Sequence, residues 1–228
     1  MKRVLFALLG ATMILSGFRV ADKLPGEACL LKLPGITFTR SLNGAAKLYS
    51  FENGILTIKS EAKKDFFNDP GGNSVVGSSP ILLAPIDNKK PFTLTAKVTP
   101  TFNETYDAGV LYIYSTGKLW QKLCFEKDEY KRTRVVSVRT IGTSDDNNHD
   151  IISDKSVYLR ITSDTKTVGL FYSLDKITWN LAKVYKNSYP EMIWVGLSTQ
   201  SPIGNGTTAS FEDVSLTYSS IKNFRLGI

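Results

Sequence analysis

Between Tyr106 and Glu126 the chain reads YDAGVLYIYSTGKLWQKLCFE, with apolar or aromatic residues at both odd and even positions around a Ser115-Thr116-Gly117-Lys118 turn. Successive side chains on a strand point to opposite faces, so a hairpin written this way needs cover on both sides. It belongs in the centre of a layered structure, and the rest of the chain is read around it. On its second strand Leu119, Gln121, Leu123 and Phe125 share a core-like face. Trp120, Lys122, Cys124 and Glu126 share the other, which mixes an aromatic with charge and is where a ligand would be sought.

The remaining segments supply partners for that hairpin. Phe92, Leu94, Ala96 and Val98 alternate with Thr93, Thr95, Lys97 and Thr99 between bracketing prolines, a strand with one buried face. Asn53-Gly54 joins Leu48–Glu52 to Ile55–Ile58 as a hairpin turn signal. Further short strands are read at Val135–Thr140, Val157–Thr162, Val168–Ser173, Trp179–Val184, Ile193–Leu197 and Ala209–Tyr218. No amphipathic helix and no fixed repeat interrupts them. Such a series predicts an all-β fold, a sandwich of two antiparallel sheets with jelly-roll character, whose first and last strands lie paired near one another. The length of 228 residues, 42% of them hydrophobic, suffices for one such domain.

Lys2 and Arg3 precede an apolar run from Val4 to Leu15, then Ser16 and Gly17. That order is a secretory signal peptide, and the run is too short to span a bilayer. Residues 1–17 are therefore expected to be removed, with cleavage between 17 and 22, leaving an exported periplasmic or extracellular protein without a transmembrane segment. Phe18 stands where a lipoprotein would need Cys. Residues 18–33 lack a period and read as a linker, and 34–228 as the domain. Of the net charge of +7, two units sit on Lys2 and Arg3. The densest basic stretch, KDEYKRTR over 127–134, is partly cancelled by its own acids and reads as a solvated hairpin tip rather than a nucleic-acid surface. Cys29 and Cys124 are expected to be free thiols, Cys124 as a small buried hydrophobe.

Lys64-Asp65-Phe66-Phe67, Tyr106-Asp107-Ala108-Gly109-Val110, Trp120–Glu126, Ser144-Asp145-Asp146-Asn147 and Gln200-Ser201-Pro202 resemble, in order, the marker blocks of the regulation-of-enolase-like family. That family is a domain of unknown function in the concanavalin A-like lectin/glucanase superfamily, and a similar domain ends some β-xylosidases. The resemblance covers roughly Leu48 to Tyr218. It implies a jelly-roll sandwich of two curved sheets and implies no reaction, because fold does not carry function. Phe67 departs from the aromatic Trp of the first block, and Asn147-Asn148-His149 from the Trp of the fourth.

Catalytic patterns are broken or missing. Glu126-Lys127-Asp128 begins the Glu-x-Asp-x-x-Glu strand of retaining glucanases, but Lys131 closes it. Asp146-x-Asn148-x-Asp150 has an oxygen-ligand spacing, yet Ile151 and Val157 stand where a calcium loop needs Gly and Glu. The segment from Gly142 to Asp150 is therefore read as an exposed polar loop, with no metal site. His149 is the only histidine. No Gly-x-Ser-x-Gly elbow, zinc set or phosphate loop accompanies it, so no catalytic residue and no cofactor are assigned.

The mixed face remains. Trp120, Lys122 and Glu126, with Arg139 on the next strand and Tyr112 or Tyr114 on the previous one, offer an aromatic platform and charged hydrogen-bonding groups, which sugar recognition requires. The alternative is that Trp120 belongs to the core and Lys122 and Glu126 are paired across a strand. The function expected is carbohydrate binding. Two alternatives stand beside it: a glycan hydrolase using an atypical carboxylate pair such as Glu126 with Asp107, and a structural or partner-binding protein.

Overall fold

The computed structural model describes residues 24–228. The expected export signal and its cleavage region lie outside the described residues. Among the described residues no helix is long and apolar enough to cross a membrane.

In chain order the strands begin with β1 (Glu27–Leu33), β2 (Ile36–Leu42), β3 (Tyr49–Glu52), β4 (Ile55–Glu61), β5 (Phe66–Asn68) and β6 (Val75–Gly77). They continue with β7 (Ile81–Asp87), β8 (Phe92–Pro100), β9 (Ala108–Thr116), β10 (Leu119–Lys127), β11 (Thr133–Ile141) and β12 (Thr143–Ile151). The last are β13 (Val157–Ser163), β14 (Thr167–Ser173), β15 (Asn180–Lys186), β16 (Met192–Gln200) and β17 (Gly206–Thr217). One eight-stranded sheet runs β1-β2-β7-β16-β9-β10-β11-β12 and a seven-stranded sheet runs β15-β14-β13-β8-β17-β4-β3, every pairing antiparallel. The all-β sandwich of two antiparallel sheets is therefore present.

Alternation explains how the sheets meet. Phe92, Leu94, Ala96 and Val98 of β8 face Leu111, Ile113, Leu123 and Phe125 of the central β9–β10 hairpin in one inter-sheet core. The Asn53-Gly54 turn forms as read, both residues holding positive φ (51° and 80°), the backbone a two-residue hairpin loop demands. Gly109 marks a close approach of the layers: a Cβ there would stand 2.4 Å from Val98 Cγ1.

Three expectations need correction. Glu27–Leu33, inside the expected linker, is strand β1; a register irregularity between Ala28 and Leu31 breaks its alternation, which is why no period was visible. The polar stretch after Gly142 is strand β12, not a loop. As an edge strand it pairs only with β11 and leaves most side chains in solvent, so its order comes from backbone hydrogen bonds rather than from an apolar face. The first and last strands do not pair: β1 edges one sheet and β17 lies inside the other, and the turn that follows β1 meets β17 where the Leu216 N–H donates to Gly35 O at 3.2 Å. The 127–134 stretch is the expected hairpin tip, with Asp128 buried between Arg132 (2.8 Å) and Arg134 (3.2 Å).

Candidate functional site

The outer face of the eight-stranded sheet carries a second, smaller core because a hairpin lies across it. β5 and β6 pair only with each other, and Phe66 inserts edge-on against Trp120 (ring centroids 5.2 Å), Tyr112 (6.1 Å) and Tyr114 (6.1 Å). Asn68 clamps this hairpin to the sheet. Its side-chain amide donates to Gly117 O (3.1 Å) and Gly142 O (2.9 Å), and its backbone N–H to Ser144 Oγ (2.9 Å).

Trp120 and Tyr112 are thus sealed, both at 0% exposure. They form a floor for Phe66 and offer no platform to a ligand. The core alternative holds for Trp120, and truncating it would remove packing rather than a contact surface. Arg139 is absent from this face altogether. It pairs in register with Gln121, one residue out of step with Lys122, and points between the sheets, where its guanidinium stacks 4.1 Å from the Tyr185 ring centroid.

Beside Phe66 the face turns polar. Strand register sets Gln200, Ala108, Glu126 and Arg134 in one row across four strands. Ala108 is small enough for the side chains on either side of it to meet: Gln200 Nε2 donates to Glu126 Oε2 at 3.2 Å. The next row but one places Lys122 between Tyr112 and Val138, with Asp146 beyond Val138. Lys122, 3% exposed, donates to Gln200 Oε1 (3.0 Å), Phe66 O (2.9 Å) and Asp65 Oδ1 (3.3 Å). Those contacts account for all its protons. Lys122 and Glu126 are therefore joined through Gln200 and not directly.

This network opens onto a cleft of about 420 Å³. Val136 and Val138 form its floor, Phe67 and Tyr106 its aromatic walls, and Asp146, Asn148 and Glu129 its rim. Tyr106 is held in place by a left-handed backbone (φ 67°) and by its N–H donating to Lys127 O at 2.7 Å.

The charges are unbalanced. For Lys122 burial opposes ionisation, but the Asp65 carboxylate beside it outweighs that cost and the pKa is raised. Glu126 is 8% exposed and its carboxyl is pushed up to about 8: burial is the main cause, Lys122 opposes it, and Asp146, Asp65 and Glu129 add to it. Its Oε1 has no hydrogen-bond partner among the described residues. Asp146 is raised as well, again first by burial against the cleft wall, with Lys122 opposing. Cys124, beneath, is a buried neutral thiol whose pKa burial raises.

The carboxylate pair Glu126 with Asp107 is not assembled. Asp107 follows Tyr106 one residue before Ala108 and so lies on the opposite parity from Glu126, where its Oδ2 accepts the Asn103 (3.0 Å) and Glu104 (2.9 Å) N–H groups of its own turn. Among the described residues no group of three acidic, imidazole or thiol side chains is arranged to hold a metal ion. His149 stands away from Cys124, its Nε2 2.9 Å from Ser137 Oγ.

Gln200, Tyr106, Phe67 and Asp65 carry the site together with Lys122 and Glu126, yet the strand pattern singled out only the last two. Residues 42–219 match a family described as protein of unknown function (DUF1349). The chain belongs to that family. No curated protein matches it. Among solved structures, a functionally unknown protein from Saccharomyces cerevisiae is 23% identical with a TM-score of 0.71, covering 78% of this chain and 95% of its own. A GH43 BlXynB mutant from Bacillus licheniformis (12% identity, TM-score 0.63) and a xylan β-1,4-xylosidase from Bacillus halodurans C-125 (16%, 0.62) each cover 83% of this DUF1349 chain. The chain spans only 38% of either enzyme's length. These likenesses show a shared sandwich fold and nothing of activity.

Proposed function

We propose that this DUF1349 protein is an exported carbohydrate-binding sandwich whose binding site is the cleft over Val136 and Val138. The observation that carries the reading is the Lys122–Gln200–Glu126 network. A buried chain of charged and amide groups costs stability unless fully satisfied, and this one ends in an unpartnered Glu126 oxygen facing a cleft walled by Phe67 and Tyr106. Aromatic faces beside fixed donors and acceptors suit the apolar face and hydroxyl rim of a pyranose. The occurrence of the fold within GH43 enzymes and a xylosidase supports a sugar ligand. So does the likeness to the regulation-of-enolase-like group of the concanavalin A-like superfamily, since every block that carries it contributes a residue to the cleft. Export rests on Lys2, Arg3 and the Val4–Leu15 run.

The test is a glycan array on the secreted protein after N-terminal sequencing, followed by titration of Tyr106→Asn. Asn tolerates the left-handed backbone at that position, and Tyr106 is 37% exposed, so folding should be unaffected. Loss of one aromatic wall should weaken binding about tenfold. Absence of any glycan ligand, or a Tyr106→Asn variant that binds as the parent does, counts against the reading.

A further inference from the structure

The cleft has more acid than it uses. Lys122, the one basic residue lining it among the described residues, is matched within the network by Asp65. That leaves Glu126, Asp146 and Glu129 facing the same space. The neighbouring bases are also spoken for: Arg134, opposite Glu126 on β11, is held by Asp128 and the His149 carbonyl, and Lys183, whose charge acts on Asp146, is held by Asp145 at 3.0 Å. Neighbouring Cys124 and Tyr112 are neutral groups. An anionic sugar placed here would meet the Asp146 and Glu129 carboxylates, whereas a cation would offset their charge and favour ionisation of Glu126 beside them. The described residues do not offer the converging ligand set a metal needs, but an ammonium asks only for a few oxygens and tolerates an aromatic neighbour.

Resting on the carbohydrate reading of this cleft, we propose that its ligand is an amino sugar with a free, unacetylated amine, whose ammonium sits between Glu126 and Asp146 beside the Tyr106 ring. Uronates and sulfated glycans are excluded by the same carboxylates. The Glu126 oxygen that lacks a partner is the second acceptor this arrangement uses. In the free protein that carboxyl, pushed up to about 8, holds its proton at neutral pH. Seating an ammonium beside it favours the ionised form, so the proton passes to solvent as the ligand binds, with no covalent bond made or broken.

Calorimetry at pH 6.5 in two buffers of different ionisation enthalpy tests this with a β-1,4 glucosamine trimer, its fully N-acetylated counterpart, a uronate trimer and free lysine. The expected result is an amine trimer bound about tenfold or more tightly than the acetylated one, with net proton release and no uronate binding. Asp146→Asn should abolish the preference, and Glu126→Gln should abolish the proton release. Asp146 lies on the edge strand β12 and makes no ion pair among the described residues, so its variant keeps the fold. Equal affinity for the two trimers overturns the amine assignment and leaves the carbohydrate reading standing. Lysine binding as tightly as the amine trimer overturns the sugar part. Failure of every saccharide overturns both.

Discussion

Glu126 shows how one residue couples the site to the fold. Burial pushes its carboxyl up to about 8 in the folded protein, against 4.5 for an ordinary glutamate. Between those values the native state holds a proton that the unfolded chain has released, so stability falls as pH rises through this window and levels off above it. The difference amounts to roughly 2–5 kcal/mol. Glu126→Gln keeps the neutral shape and removes the titration. Its melting temperature should match the parent at pH 5 and exceed it at pH 9; parallel curves for the two proteins across that range would show that Glu126 is not the group responsible. Lys122 offers no such relief. Removing it would strand Asp65, which is the costly way to break a buried pair.

The decisive element is the β5–β6 hairpin, since without it the aromatic patch around Trp120 would be an exposed face. It is short, pairs with no other strand, and owes its position to Phe66 and to the Asn68 clamp. Local opening energies follow such contacts. Asn68→Ala deletes both side-chain bonds to the neighbouring turns and should cost about 1–3 kcal/mol. Amide exchange should accelerate at residues 66–77 well before it does in β9 and β10. If protection were lost equally throughout, the hairpin would be an integral part of the sandwich rather than a separately opening cover. β12 illustrates the converse at the sheet edge: nearly all its side chains are polar, and its place depends on a backbone ladder to β11.

At the scale of the whole molecule the two layers approach closely at Gly109, where Val98 Cγ1 and Ala209 Cβ leave no room for a side chain. Gly109→Ala should lower stability by about 1–3 kcal/mol through overpacking. Because both sheets touch that point, fluorescence and far-ultraviolet dichroism should shift to lower denaturant together; separate transitions would mean the sheets unfold independently. Much of this architecture was legible in the chain. Alternation in Phe92–Val98 and apolar character on both faces of Val110–Phe125 determined an all-β protein with a doubly covered central hairpin, because strand parity depends only on backbone geometry. Parity likewise placed Lys122 and Glu126 on one face. It could not say that Phe66, far upstream in the chain, would seal Trp120 and Tyr112, nor that register would carry Arg139 to the far side. Those outcomes, like the meeting of Gln200 with Glu126 over Ala108, depend on strand order and on what packs above the sheet. Side-chain alternation is a local property of the chain, whereas burial and charge compensation are decided by neighbours that only the tertiary fold brings together.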